Sequence, residues 1–173
     1  MRLQRTAAIV LFATVCLPAY ADDQALGNLI ASLKKHSGAS PSPVSLTAVD
    51  AKDDRHLSLR FTLTNVSGKP LQIDPASLPW GNTYSIRWAA VTRDGHVLPV
   101  GYPIDDPGPG ESVSLQPGQS LTGTYHLDWM LEQSAAPRNT DIAVLWLYSF
   151  PAGPVLGRDP RPFCTGVTVV HVP

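Results

Sequence analysis

The sequence predicts an all-β fold, an antiparallel sandwich of about eight or nine short strands with a short N-terminal helix. The first observation is a strict alternation of apolar and polar side chains at positions 57–64, the apolar ones being Leu57, Leu59, Phe61 and Leu63. A period of two places these four on one face of a strand. The second observation is the turn chemistry from Asn65 to Pro70, after which the alternation resumes. The third is that no helical period follows residue 36.

The chain begins with a segment that has the composition of a secretory signal peptide. Arg2 and Arg5 precede an apolar, uncharged run from Thr6 to Leu17, and Ala19-Tyr20-Ala21 places small residues at the two positions that a signal peptidase reads. We therefore expect residues 1–21 to be a signal peptide and the protein to be periplasmic or secreted. The apolar run is too short for a membrane span, which needs about 20 residues, and we expect no transmembrane segment after cleavage.

Two cysteines bear on how the mature chain is anchored and stabilised. Cys16 lies in the leader, but Val15 stands where lipoprotein signals carry a small residue, so we expect no lipid anchor. Cys164 is then the only cysteine left, which excludes an internal disulfide framework. We expect Cys164 to be a small buried hydrophobic residue in a strand. An intermolecular disulfide or a reactive thiol is the alternative.

The charge balance of the mature chain excludes two classes of partner. Without Arg2 and Arg5 the chain keeps 11 of its 13 basic residues against 14 acidic ones, a net charge of −3 with histidine neutral. Such a weak negative balance predicts no binding to nucleic acid or to anionic membranes.

Residues 22–43 are predicted to form a short helix and a linker. The apolar side chains between Asp22 and His36 follow the i, i+3, i+4, i+7 spacing of an amphipathic helix; they are Leu26, Leu29, Ile30 and Leu33. The serine- and proline-rich stretch from Ser37 to Pro43 cannot continue it. Two arrangements stay open, a helix packed on the domain and a helix that hangs free.

Residues 44–173 are predicted to form the sandwich domain. Strands are expected at 44–49, 57–64, 71–73, 84–88, 97–100, 113–115, 121–129, 142–150 and 163–172, with a tight hairpin at Arg93-Asp-Gly-His96. The strand from Ile142 to Phe150 is apolar on both faces, which predicts a central position with cover on both sides. Short strands in this number favour a sandwich of the immunoglobulin type, which needs about seven strands in about 100 residues.

Three stretches resemble the strand and turn pattern of bacterial immunoglobulin-like domains. They are Leu59–Ile73 with its Thr-Asn and small-Gly turn, Val91–Leu98 with its Asp-Gly hairpin, and Glu111–Leu121 with its Leu-x-Pro-Gly link. In this order they look most like the bacterial intracellular proteinase inhibitor family, and the match covers Leu57 to Leu127. The resemblance implies an immunoglobulin-like sandwich and inhibitor-like binding. The chain departs from the family in its leader, its N-terminal helix and its proline-rich loops.

Residue types that perform chemistry are scattered along the sequence. The five histidines, at positions 36, 56, 96, 126 and 171, include no pair with metal-ligand spacing such as His-x-x-x-His. No Gly-x-Ser-x-Gly, P-loop or Cys-x-x-Cys motif occurs. Asp105 and Asp106 are adjacent in a loop, where turn formation is the expected role. We therefore predict a protein that is not an enzyme, with no catalytic residues, no metal and no cofactor.

The predicted binding surface consists of loops, because sandwich strands commit their side chains to the core. The loops Gly101–Gly110 and Pro151–Pro162 are long and proline-rich. We expect apolar contact from Trp80, Tyr102 and Ile104, and a charged rim from Asp105, Asp106, Arg158 and Arg161. Two alternatives stay open: Trp80 closes one open end of the sandwich, and the prolines only prevent edge pairing.

These patterns predict an exported, non-enzymatic binding protein of the bacterial cell envelope. Its expected partner is a protein of the envelope, engaged through the loops. The alternative is a carbohydrate-binding accessory module, in which Trp80 and Tyr102 stack on the sugar rings of a glycan.

Overall fold

The fold is an all-β sandwich with one helix on its outside. The computed structural model describes residues 24–36, 41–52, 56–83, 85–100, 110–128, 131, 138–150 and 162–172. These residues contain a helix and nine strands: α1 Gln24–His36, β1 Val44–Asp50, β2 Ser58–Asn65, β3 Leu71–Ile73, β4 Ile86–Thr92, β5 Val97–Leu98, β6 Val113–Leu115, β7 Ser120–His126, β8 Thr140–Ser149 and β9 Phe163–Val172. The helix is too short to cross a lipid bilayer, and no other described segment is a helix that does so. The predicted fold class is confirmed.

Two antiparallel sheets face each other across the core. One has the order β1-β2-β7 and the other β5-β4-β8-β9, while β3 and β6 form a separate ribbon. Phe61 of β2 and Trp146 of β8 meet edge to face, with their ring centroids 5.6 Å apart. Trp88 of β4 is also buried and donates a hydrogen bond from Nε1 to the Tyr125 hydroxyl. The predicted buried face of Phe61 is confirmed, and Trp88 and Trp146 are buried in the same core.

Helix α1 packs on the outer face of the four-stranded sheet. Leu29 is buried against Ala89 of β4 and Leu147 of β8. Beside this contact, Arg87 Nη1 donates a hydrogen bond to Ser32 Oγ at 2.8 Å. Of the two arrangements left open by the sequence, the packed one is found. In this arrangement α1 also covers the second face of β8, as the apolar character of both faces of that strand predicted.

Asn65 organises the turn that follows β2. The residue is buried, and its Nδ2 donates to the carbonyl oxygens of Lys69 and Leu115, at 2.8 Å each. Its Oδ1 accepts from the backbone N–H of Ser67 at 2.9 Å. One amide side chain thus shapes the turn and ties it to β6, which explains physically why asparagine stands at this point of the strand and turn pattern.

One long side of the sandwich is closed by hydrogen bonds between β1 and β9, which we call the β1–β9 seam. Cys164 Sγ donates to the carbonyl oxygen of Val44 at 3.2 Å, and Thr168 Oγ1 donates to that of Ala48 at 3.2 Å. Side chains of one edge strand therefore bind the backbone of the other. Cys164 is a half-buried free thiol, and burial raises its pKa, which favours the hydrophobic role predicted for it over that of a reactive thiol.

The opposite side is closed by residues 74–83, which we call the Trp80 segment. Gly123 of β7 pairs with Phe61 and so faces inward. The indole ring of Trp80 lies over it, so close that a Cβ at position 123 would stand 2.3 Å from ring atoms. Tyr148 of β8 donates from its hydroxyl to the carbonyl oxygen of Ser77 at 3.0 Å. The segment is thus held from both sheets.

Two strands, β4 and β7, end three or more residues away from the predicted position, and the other strand ends differ by at most two residues. β4 continues to Thr92 because Ala90 faces the core while Ala89 is covered by α1, so both faces of this part of the strand are buried. β7 ends at His126 instead of Trp129. Its partner β2 begins only at Ser58, and the N–H of Leu127 donates to the carbonyl oxygen of Leu57 just before β2 starts.

Candidate functional site

One end of the sandwich gathers polar side chains, and we call it the histidine end. β1, β4, β7 and β9 finish there, and β2, β5 and β8 begin there. Four of the five histidines lie at this end, and three of them face an aspartate: His56 faces Asp128, His96 faces Asp94, and His171 faces Asp141. Antiparallel pairing explains this grouping, because it brings the start of one strand beside the finish of the next.

Three of these side chains form a compact group, the His56 cluster, which consists of His56, His126 and Asp128. His56 Nδ1 lies 2.7 Å from Asp128 Oδ2, and the two imidazole rings meet edge to face with centroids 5.3 Å apart. His126 Nδ1 is 2.9 Å from the hydroxyl oxygen of Ser58. One nitrogen or oxygen atom from each member lies within 4.8 Å of the others.

The pairing of β2 with β7 assembles the cluster. Its register sets Ser58 directly opposite His126. His56 lies two residues before Ser58, and Asp128 lies two residues after His126. A period of two keeps each pair on the same side of its chain, so all four polar groups converge at one corner of the three-stranded sheet.

The members of the cluster differ in their access to water. The side chains of His56 and Asp128 are 45% and 32% exposed, whereas Ser58 is only 1% exposed. Asp128 Oδ1 is buried and has no hydrogen-bond partner among the described residues. A buried carboxylate oxygen without a partner is unfavourable and marks a place where a cation or a donor fits.

The arrangement does not match a hydrolytic triad. In such a triad one imidazole bonds the nucleophilic hydroxyl through Nε2 and the carboxylate through Nδ1. Here the Ser58 hydroxyl is buried at Nδ1 of His126, and the Asp128 carboxylate bonds a different imidazole, that of His56. The cluster therefore offers nitrogen and oxygen ligands, with no activated nucleophile.

The residues predicted to bind a partner are divided by the structure. Trp80 is half-buried and packs inward over Gly123, the arrangement expected of a residue that closes the sandwich. The other predicted binding residues, Tyr102, Ile104, Asp105 and Asp106, lie outside the described residues, as do Arg158 and Arg161. Trp80 is therefore the one residue of the predicted binding surface that belongs to the described part of the chain.

The His56 cluster was not found by the sequence analysis. His56 and Asp128 are separated by 72 positions, whereas the metal-ligand motifs that a sequence reveals have spacings of a few residues. The available signal was the position of each group, since His56 precedes one predicted strand and His126 and Asp128 lie near the end of another. What was missing was the knowledge that these two strands pair.

Comparison with known proteins identifies no relative from which a function could be inferred. No model of a protein family matches the chain, and no curated protein matches it. The resemblance to bacterial intracellular proteinase inhibitors stays a prediction. The function must be argued from the contacts and charges described above.

Proposed function

We propose that the protein is an exported, non-enzymatic binding protein of the bacterial cell envelope that engages a protein partner through the loops at the end of its sandwich. The observation that carries this proposal is the chemistry of the histidine end. It presents exposed imidazole and carboxylate groups, and the Ser58 hydroxyl, which lies 2.9 Å from an imidazole nitrogen, is buried. Such a surface is suited to polar recognition.

The β4–β5 hairpin is the most accessible part of this end. The side chains of Asp94 and His96 are 69% and 68% exposed, and His96 Nε2 lies 3.2 Å from Asp94 Oδ2. Thr92 donates a hydrogen bond to the Asp94 carboxylate, which lowers the pKa of Asp94 and keeps it ionised. Because the turn is held by these contacts, its polar groups lose little conformational entropy when a partner docks.

The alternative of a carbohydrate-binding module has less support. Stacking on sugar rings needs exposed aromatic faces, and Trp80 directs its indole inward. The exposed large apolar side chains among the described residues are all aliphatic, namely Ile30, Leu33, Val49, Val66, Val113, Val167 and Val169. The described residues therefore include no exposed tryptophan, tyrosine or phenylalanine ring for the flat row that this function requires. We therefore retain the protein partner as the proposed target.

Affinity capture with matched surface variants tests the proposed binding. The chain from Asp22 onward is immobilised and exposed to an extract of the bacterial envelope. We expect a stoichiometric protein partner that is also retained by Lys69→Ala, at the opposite end, and is lost with Arg93→Ala/His96→Ala. Equal capture by both variants would place the interface elsewhere, and capture of a glycan without protein would overturn the proposal.

Export is tested separately by N-terminal sequencing of the protein recovered from the envelope fraction. We expect the mature chain to begin at Asp22, since the peptidase reads Ala19 and Ala21. A chain that retains residue 1, or one that starts at a lipid-modified Cys16, would contradict this part of the proposal.

A further inference from the structure

We propose that the His56 cluster binds a divalent transition-metal ion, with His56, His126 and Asp128 as its protein ligands. Two imidazoles and one carboxylate form a donor set that suits zinc, copper, nickel or iron. Calcium and magnesium are unsuited to it, because they require mainly oxygen ligands. The three donor groups already lie within 4.8 Å of one another.

The distances in the cluster are close to those of an occupied site. Metal–nitrogen and metal–oxygen bonds of about 2.0–2.2 Å set two tetrahedral ligands about 3.4 Å apart. His56 Nδ1 and Asp128 Oδ2 are 2.7 Å apart, which is a hydrogen-bond distance, so these two atoms must separate by about 0.7 Å to admit the ion. No donor pair is more than 4.8 Å apart, so none has to approach by more than about 1.4 Å, and the 45% exposed side chain of His56 has room to change its rotamer angles.

Ser58 acts as a positioning residue for His126. Its hydroxyl lies 2.9 Å from His126 Nδ1 and accepts a hydrogen bond there in the tautomer that carries the ring proton on Nδ1. In that tautomer the lone pair of the imidazole is at Nε2, and this is the nitrogen that would bind the metal. Ser58 is buried and belongs to the β2–β7 ladder, so it holds the ring in a fixed orientation.

Asp128 supplies an independent observation that points to a cation at this site. Its Oδ2 lies beside His56 Nδ1, whereas Oδ1 is buried with no partner among the described residues. A cation beside this oxygen would compensate the cost of its burial and would also balance the charge of the carboxylate.

The two other His–Asp pairs of the histidine end provide an internal control. His171 and Asp141 are 2.9 Å apart, and His96 and Asp94 are 3.2 Å apart. Their side chains are 60–69% exposed, and no third donor completes either pair in the described part of the chain. These pairs have the same chemistry but only two protein ligands, so we expect them not to bind a metal tightly.

Three protein ligands leave at least one coordination position open. Structural zinc sites are normally closed by four protein ligands, and the folding of their domains depends on the metal. Here the core of the sandwich is complete without the cluster. We therefore expect an exchangeable ion, and we expect variants of the cluster to fold.

Calorimetric titration of the mature chain with Zn²⁺ at pH 7.5 tests the proposal, after removal of metal with a chelator. We expect one equivalent to bind, with affinity at least about tenfold weaker in His56→Ala, His126→Gln and Asp128→Asn. Ser58→Ala should weaken binding about tenfold as well, because it loosens a ligand. His171→Ala is the matched control and should bind as the wild type does, and titration with Ca²⁺ should show no binding.

Thermal unfolding with and without Zn²⁺ gives a second measurement. A ligand that binds the folded state raises the melting temperature. We expect this rise in the wild type and in His171→Ala, and its loss in His56→Ala and His126→Gln. The proposal is overturned if the wild type binds no Zn²⁺, if the cluster variants bind as tightly as the wild type, or if His171→Ala abolishes binding. Circular dichroism of each variant shows whether a loss of binding is due to unfolding.

Discussion

At the β1–β9 seam, side chains of one edge strand donate hydrogen bonds to backbone carbonyls of the other, whereas on the opposite side an indole ring lies over a glycine. The seam uses Cys164 and Thr168 of β9. The Trp80 segment uses the close approach of Trp80 to Gly123. Hydrogen bonds are directional and fix how β9 lies along β1. The Trp80 ring excludes water by filling volume. The closure of that side of the sandwich therefore depends on the space above Gly123.

A tryptophan also lies over a glycine beside the seam, but there it is hydrogen-bonded. A Cβ at Gly166 of β9 would stand 2.3 Å from the Trp146 ring. Trp146 Nε1 donates to Thr168 Oγ1 at 3.2 Å, so the ring is tied to the seam. The comparison indicates that each side needs a glycine under its large ring, because two facing sheets leave only about 10 Å for the side chains between them.

The largest loss of stability is expected at Phe61, which lies between the β1–β9 seam and the Trp80 segment. Its ring contacts Trp146, and its strand pairs it with Gly123 under Trp80. Phe61→Ala should lower the free energy of unfolding by about 3–5 kcal/mol, because it leaves a cavity that connects both sides. Thr62→Ala, on the outer face, should cost less than about 1 kcal/mol. Urea denaturation measures both, and equal losses would show that the assigned strand faces are wrong.

The next-largest loss of stability is expected at Gly123, on the side that the Trp80 ring closes. Gly123→Ala should destabilise the protein by about 1–3 kcal/mol, since the new methyl group displaces the Trp80 ring. Gly68→Ala is the control, because a Cβ there meets nothing within 4 Å. In a Trp80→Leu background the cost of Gly123→Ala should shrink, and a double-mutant cycle measures the difference. A cost that is unchanged in that background would show that the ring does not determine it.

The side closed by hydrogen bonds is tested at Thr168. Thr168→Val keeps the shape of the side chain but removes its bond to the carbonyl oxygen of Ala48 and the acceptor for Trp146 Nε1. Leaving a buried N–H without its partner should cost about 1–2 kcal/mol. Thr165→Val, on the exposed face of the same strand, should change the urea midpoint little. If the two variants are equally stable, the hydrogen bonds of the seam contribute nothing measurable.

The smallest effect is a loss of stability at alkaline pH. Burial raises the pKa of the Cys164 thiol above 9.0 and that of the Tyr148 phenol above 10.0, and the charge of Cys164 raises the latter further. The folded chain then holds these protons at a pH where the unfolded chain releases them. Stability is therefore fully present below about pH 9 and falls as the pH rises above it.

Two variants separate the contributions to this alkaline loss. Cys164 bonds the seam and Tyr148 bonds the Trp80 segment, so each variant reports on one side. In Cys164→Ala the loss of stability should begin only near pH 10, because the thiol that ionises first is absent. In Tyr148→Phe the loss that is due to Cys164 should remain, and the loss that is due to the phenol should disappear. Urea midpoints between pH 8 and pH 11 measure the effect, and a flat profile for the wild type would contradict it.

Much of the strand pattern was predictable because it depends on the spacing of residues that are close in the sequence. The alternation around Phe61 predicted β2 and its buried face, and Asp94-Gly95 predicted the hairpin, where Gly95 has a φ of 90°. Strand limits were less predictable. Ala89 gives no signal of burial in the sequence, and it is buried only because α1 packs against it.

The sequence by itself determined which residues form strands, which face of each strand is apolar and where the chain turns, since these follow from spacings of a few residues. Only the tertiary structure decided that His56 meets Asp128, that Trp80 lies over Gly123 and that α1 packs on the four-stranded sheet. The physical reason is that a period of two specifies the face of a strand but not its neighbour. Pairing is chosen by how all the strands bury their apolar faces together, and the candidate metal site is a consequence of that choice.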